Sequence, residues 1–490
     1  MEIAITLDNQ SELPLHRQLY EELRRSILSG RLAPGQRVPS TRTLAVSLGV
    51  SRATVTQSYE QLLSEGYFQA VTGSGTFVGR HLPDDLLRPA TVKAAAGVAR
   101  AARPSVRLSN YGASLADVEA FEPSGQESQI NFCYGRPAFD AFPLQQWRRL
   151  LLRHCRTGQR AMLDYALDSL GYEPLREAIA HHLARSRAVV CQADQVIIVS
   201  GSQQALDLIT RVLVERGETV AMEDPGYLGA RRAFLAQGAK LLPVPVDEAG
   251  MMVEYLAARQ TAKPKLIHVT PSHQFPTGAV LSLPRRLELL AWAAQSGAMI
   301  VEDDYDSEYR YGSRPIPALQ GLDQSESVIY VGTFSKMMFP ALRLGYMVVP
   351  RSVAHVLARA KWLADRHAPM LEQYALADFI NEGHLERHLR RMRTLYDQRR
   401  QALVRALKLH FGERVTIMGE SAGMHLTARL QTKLSDEEII RRAEEAGVGL
   451  VSARVYFLKA RWNNEYIFGY ASLSERRIQE GVRRLAGLPI

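Results

Sequence analysis

From Ile130 onward the chain repeats one pattern, a short apolar run rich in Val and Ile followed by a longer stretch whose apolar residues have helical spacing. QVIIVS, KLIHVT, AMIVED, VIYVG and RLGYMVV are nearly continuous apolar runs, as strands buried on both faces are. Their alternation with amphipathic helices predicts an α/β domain around a mostly parallel sheet. Ligand sites in such sheets lie beyond the carboxyl ends of the strands, so the loops leaving these runs hold the first candidates for function.

The remainder of the chain is organised differently. Residues 1–79 read as a compact, turn-punctuated module, 80–128 as a linker and 129–490 as the α/β domain. The linker core, LLRPATVKAAAGVARAARPSVRLSNYGASLA, carries five basic residues and no acid. As a coil it spans roughly 35 to 40 Å, enough for two DNA-binding modules of a dimer to reach half-sites about 34 Å apart.

Composition narrows the class. An apolar fraction of 46% and a charged fraction of 23% are those of a soluble globular protein. Three cysteines, Cys133, Cys155 and Cys191, make an odd set without metal-ligand spacing, so no disulfide framework or metal site is expected and a reducing cytoplasm is the natural compartment. No basic and apolar leader opens the chain and no run reaches about 18 apolar residues, so neither export nor a membrane span is expected.

In the first module, Leu15, Leu19, Leu23 and Ile27 recur every four residues and predict a packing helix. Ser40 is placed to cap a second helix that buries Leu44 and Leu48 and stops at Gly49. Ser51 caps a third, with Val55, Tyr59, Leu62 and Leu63 on its apolar face and Arg52, Ala53, Thr56 and Gln57 pointing outward. FQAVTGSGTFV then alternates like a hairpin. Helix, tight turn and second helix with Arg, Thr and Gln at its start is what major-groove reading requires. The net charge of +9 agrees with a nucleic-acid partner, and residues 31–80 hold five arginines (Arg31, Arg37, Arg42, Arg52, Arg80) against two acids. LSGRLAPGQRVPSTRTLAVSLGVSRATVTQSYEQLLSEGYFQAVTGSGTFV resembles the GntR family of winged helix-turn-helix regulators. The resemblance implies that Arg42, Arg52, Thr54, Thr56 and Gln57 lie at a double-stranded DNA operator, with Gly75 and Thr76 at the tip of the wing.

In the large domain, VIIVSGSQQALDLI sets Ser200, Gly201, Ser202 and Gln203 between a strand and a helix, where free backbone N–H groups hold phosphate well. IYVGTFSKMMFPALRLGYM places Lys336 in a Thr and Ser loop with Arg343 seven residues on, so that an amine, hydroxyls and a guanidinium can meet one phosphorylated aldehyde. VEDDYDSEY ends another strand with carboxylates and tyrosines. An electron-sink cofactor needs an acid at its pyridine nitrogen; Asp303 is the first candidate and Asp304 the second, with Tyr305 for the phenolic oxygen.

These motifs resemble the fold-type I, class I aminotransferases over residues 130–485. The resemblance implies pyridoxal 5'-phosphate (PLP) held as an aldimine on Lys336, phosphate contacts from Gly201, Ser202, Thr333, Ser335 and Arg343, and Tyr227 of EDPGY stacked on the ring. Tyr165 is expected at the phosphate of a neighbouring subunit in a homodimer. Joined to the GntR-like head, the whole resembles the MocR subfamily, whose members sense a small amino compound through PLP and regulate transcription. The chain departs from the enzymes at PSHQFPTG, where Phe275 replaces the usual Asn, which favours sensing over turnover. Arg454 is similar in position to the carboxylate-binding arginine of a GABA-responsive member, but Gly229 replaces that regulator's second arginine, with Arg231 and Arg232 just beyond. Two other readings share these residues, an active aminotransferase that binds DNA and a sensor of PLP itself that controls vitamin B6 synthesis.

Overall fold

Three helices and a hairpin form the head in the computed structural model: α1 (Leu15–Leu28), α2 (Thr41–Leu48), α3 (Arg52–Ser64), β1 (Phe68–Val71) and β2 (Gly75–Val78). The Ser40 hydroxyl accepts from the Thr43 N–H at 3.2 Å and that of Ser51 from the Thr54 N–H at 3.1 Å, each satisfying a helix-end donor that has no intrahelical partner. Gly49 closes α2 in the left-handed region at φ 66°, which glycine enters without a Cβ penalty. Leu19, Leu23 and Ile27 of α1 pack with Leu44, Val55, Tyr59, Leu62 and Phe68 in one core. Leu48 and Leu63 are half-buried at its edge, and Leu15 is half-buried at the start of α1.

The structure describes residues 5–8, 11, 13–82, 106–116, 118, 128–156, 164–165, 168–258, 263–312, 316–459 and 464–489. It divides into two compact units, Met1–Val106 and Arg107–Ile490. The stretch expected as a linker over 80–128 contains structure of its own. Helix α4 (Asn110–Ala116) forms within it, started by the Ser109 hydroxyl, which accepts from the Gly112 N–H at 3.0 Å.

The second unit is built on eight strands: β3 (Val196–Val199), β4 (Thr219–Asp224), β5 (Lys240–Asp247), β6 (Gly250–Met251), β7 (Leu266–Val269), β8 (Met299–Asp304), β9 (Val328–Thr333) and β10 (Gly345–Val348). Their order is β3-β10-β9-β8-β7-β4-β5-β6. β5, β4, β7, β8 and β9 run parallel, and β10 is antiparallel to both its neighbours. The parallel strands bring their carboxyl ends to one edge, and β10, because it is reversed, brings the loop before it to the same edge.

Helices cover both faces. α5 (Ser202–Leu213) follows β3, and α6 (Leu228–Gln237) follows β4; Leu206, Ile209 and Phe234 of these helices share a core with Ile197, Val199 and Val331 of the sheet. A smaller antiparallel sheet comprises β11 (Val415–Met418), β12 (His425–Leu430), β13 (Val451–Ser452) and β14 (Glu465–Gly469). Among the described residues, no helix is long and apolar enough to cross a membrane.

Candidate functional site

The loops at the carboxyl edge of the large sheet surround a cavity of about 970 Å³. Lys336, Asp303, Tyr305, Tyr227, Ser202, Gln203, Thr333, Ser335 and Arg343 all line it. They arrive from the ends of β3, β4, β8 and β9 and from the loop before β10, which is how residues far apart in sequence meet.

Lys336 sits on a single helical turn, Phe334–Met337, whose first donor is capped by the Thr333 hydroxyl accepting from the Ser335 N–H at 3.1 Å. Its Nζ donates to the carbonyl of Gly135 at 2.9 Å. A Cβ on Gly135, at φ 79°, would stand 2.6 Å from that nitrogen, so the left-handed backbone and the placed amine both favour glycine there. Burial lowers the Lys336 ammonium below its ordinary range, against the opposing pull of Asp306, Cys133 and Asp303. A larger neutral fraction makes the amine a better nucleophile toward an aldehyde.

One end of the cavity suits an anion. Gly201, at φ 102°, precedes α5 and has no side chain capping the helix, so the first N–H groups of α5 have no partner within the helix. The Arg343 guanidinium lies over this turn, donating to the Ser200 carbonyl at 2.6 Å. A Cβ on Gly201 would meet it at 3.2 Å, and the hydroxyls of Ser202 and Ser335 border the same space.

Adjacent strand residues face opposite sides of a sheet, and this separates the two aspartates. Asp303 is buried on the cavity wall with His268 Nε2 3.4 Å from its Oδ2. Asp304 is turned away, paired with Arg187 at 3.0 Å and accepting from Tyr330 at 2.6 Å and Ser307 at 2.8 Å. The second-choice acid is thereby committed to the core. The Tyr305 hydroxyl donates to the His273 carbonyl at 2.9 Å. Tyr227 stands just before the start of α6, its phenol pushed up to about 12 by burial, and its ring meets Phe275 edge-on at 6.0 Å. Phe275 packs with Val451, Ala453, Tyr456 and Ile467, an apolar cluster where the enzymes place an amide.

Two sequence candidates stand off this wall. The Arg454 guanidinium pairs with Glu437 at 2.6 Å, and among the described residues the cavity cations are Arg136, Arg232, Arg343 and Lys336 instead. Tyr165 is exposed, with Arg366 over its ring at 5.3 Å. A Cβ at position 229 would stand 2.4 Å from Gln203 Oε1 and 2.5 Å from the Tyr227 ring, so a side chain there would displace both. Arg231 reaches the Phe457 carbonyl at 3.3 Å. Sequence reasoning missed Gly135, His268, His273 and the hydroxyl pair Tyr134–Tyr456 at 2.6 Å, none of which has a local signature.

In the head, Arg42, Arg52 and Gln57 are exposed, and Thr54 and Thr56 are half-buried. The Thr54 hydroxyl is taken up by Ser51 at 2.8 Å, so its first duty is the cap. At the wing, Gly75 is exposed at φ 111° and Thr76 half-buried. The Arg37 guanidinium packs against the turn, 3.0 Å from where a Cβ on Gly75 would stand, and adds a cation to the wing that the motif reading left out.

An amine, a guanidinium with hydroxyls and a helix start, a carboxylate and an aromatic ring therefore face one cavity. They match what an aldehyde, a phosphate, a pyridine nitrogen and a flat ring require, so the residues fit PLP. Residues 127–485 match the family model of aminotransferase class I and II, and residues 15–78 that of the bacterial regulatory proteins of the gntR family. Fold and site together define a PLP-binding transcription regulator with a winged helix-turn-helix head. The chain is 42% identical to the probable rhizopine catabolism regulatory protein MocR of Rhizobium meliloti, over 98% of this chain and 95% of that one. It is 34% identical to the transcriptional regulator TauR of Rhodobacter capsulatus, over 96% of each chain. The large unit is similar to LysN, the α-aminoadipate aminotransferase of Thermus thermophilus solved with N-(5'-phosphopyridoxyl)-L-leucine, at 32% identity and a TM-score of 0.70 over 76% of this chain and 96% of that one. The chain belongs to the MocR subfamily of GntR-type transcription regulators.

Proposed function

We propose that the protein is a cytoplasmic, homodimeric sensor of a small amino compound, in which occupancy of the PLP cavity changes how two heads engage an operator. Residues 1–79 form the DNA-binding module, and the chain up to α4 tethers it to the large domain. Bound PLP supplies an electrophilic aldehyde carbon that condenses with primary amines. Lys336 holds the cofactor through its buried amine. Gly201, Ser202, Thr333, Ser335 and Arg343 receive the phosphate, Gln203 closes that end, and Tyr227 lies on the ring. Asp303, steadied by His268, faces the pyridine nitrogen, while Tyr305 faces the phenolic oxygen. Tyr165, exposed on its own subunit, reaches toward the partner subunit's phosphate.

Where the ligand carries an acid, Arg232, which lines the cavity, is the cation we assign to it, with Arg454, the position the resemblance implies, as the alternative. In the head, Arg42, Arg52, Thr56 and Gln57 contact operator bases and phosphates. Thr54 fixes the start of the reading helix, and Gly75 and Thr76 carry the wing, with Arg37 beside them. The observation that carries the reading is the convergence of Lys336, Asp303, Tyr227 and Arg343 on one cavity in a chain whose first module is a winged helix-turn-helix.

Ligand binding shifts the equilibrium between two states only by its differential affinity for them, so an amine that acts through the cofactor must compete for the aldehyde that Lys336 holds. Lys336→Ala is expected to abolish both the cofactor absorbance of the lysine-bound form and the amine response of operator binding. A Lys336→Ala protein that responds to amines as the wild type does would contradict the proposal. Sustained keto-acid production by the wild type would favour an active aminotransferase, and a change in operator binding on adding PLP alone would favour a cofactor sensor.

A further inference from the structure

The cavity extends well beyond the cofactor groups, and its outer wall comes from an unexpected place. Tyr111 and Leu115 of α4, with Val118 just after it, line the same space as Lys336 and Asp303. Ala233 and Ala236 of α6, whose small side chains leave the space open, line it too, together with Arg232.

α4 is an unusual wall. It has only seven residues, none of them buried, and Tyr111 and Leu115 are 39% and 45% exposed. An isolated helix this short is unstable in water, so α4 persists by docking on α6, and its apolar side chains are left facing a cavity. Apolar ligand surface entering there would be removed from water together with these side chains, at about fourfold in affinity per buried methylene.

We propose that α4 walls an outer subsite of the ligand cavity, in which Tyr111, Leu115 and Val118 take the apolar body of an amine whose reactive end lies at Lys336. The inference rests on the amine-sensing reading of the cavity. α4 begins four positions after Val106, the last residue of the first unit, so filling the subsite acts on the end of the tether that leads to the DNA-binding module.

The test uses the full-length, PLP-loaded protein and two probe amines, methylamine and n-hexylamine, with affinity read from the change in cofactor absorbance. The wild type is expected to bind hexylamine at least tenfold more tightly than methylamine. In Tyr111→Ala/Leu115→Ala that ratio is expected to fall at least fivefold, with cofactor uptake as the folding control. Leu115→Trp, on an exposed position that tolerates bulk, narrows the subsite and should weaken hexylamine while sparing methylamine. At saturation, hexylamine should shift operator affinity at least threefold more in the wild type than in the double variant, whereas methylamine should act equally on both. Ratios within twofold of wild type in both variants would overturn the subsite, and equal operator shifts would overturn the link to the tether. No absorbance change with either amine in the wild type would overturn the amine-sensing reading beneath both.

Discussion

The head and the large unit keep their functional groups on opposite sides of their cores. In the head, the buried residues of α1, α2 and α3 serve only to hold a scaffold, and Arg42, Arg52 and Gln57 project into solvent. In the large unit, the ends of buried strands carry the chemistry inward, so that Lys336, Asp303 and Tyr227 face a cavity. The first arrangement suits a polyanion whose binding is long-ranged and salt-dependent. The second suits a small molecule that must be desolvated and oriented, where charges are screened far less by salt. One chain thus joins a surface suited to DNA to an interior suited to PLP.

The sharpest way to break this division is to destroy one core and watch the other function. Leu23→Ala removes a fully buried side chain from the small core of the head, at a cost of about 2–5 kcal/mol. Operator binding should be lost at temperatures where cofactor absorbance is retained, as expected of two units with separate cores. Concerted loss of both signals on heating would show that the cores are not independent.

A second difference is pH dependence. In the large unit, burial pushes the Glu223 carboxyl up to about 7, against hydrogen bonds from Thr270. A carboxyl that binds its proton more tightly when folded contributes stability at acid pH and loses it as pH rises through about 7. Glu223→Gln should therefore flatten the fall in thermal midpoint of the large unit between pH 5 and 8, with a gain on the order of 3 kcal/mol at the upper end. The shifted groups described in the head, Tyr20 and Tyr59, are both raised by burial away from neutrality. A variant whose pH profile matches the wild type would refute the assignment to Glu223.

The smallest expected effect concerns the exposed face. Arg52→Ala should weaken operator binding by about 1–3 kcal/mol and, with no DNA present, leave the amine midpoint of the cofactor spectrum unchanged. Added salt should act in the same one-sided manner, weakening DNA binding while the amine titration holds its position. An Arg52→Ala protein with altered cofactor absorbance would blur the distinction between the two regions.

Much of this was legible in the sequence because the signals were local. Ser40 and Ser51 stand at the helix starts where capping requires them, and the Val and Ile runs became the central strands. What was not legible depends on distance or on phase. Strand alternation separates Asp303 from Asp304, yet only the folded sheet decides which of them meets the cavity. Gly135 holds Lys336 from a distant part of the chain. Arg231 and Arg232 are neighbours in sequence, and the phase of α6 alone sends one to a backbone carbonyl and the other to the cavity wall. Arg454 was read from its position in a motif, and its ion pair with the exposed Glu437, upstream on a separate helix, had no signal there. α4 lay in an Ala-rich basic stretch with the composition of a spacer, and it is its docking on α6 that makes it part of a site.

The central claim is that occupancy of the cavity and engagement of DNA are one equilibrium, and linkage makes it directly measurable. The PLP-loaded protein is titrated with a panel of amino acids and amines while cofactor absorbance and operator affinity are followed in the same sample. For an active amine, both signals should change with one midpoint, with little keto product formed. Saturation of the absorbance change by every amine that binds, at constant operator affinity, would contradict the account.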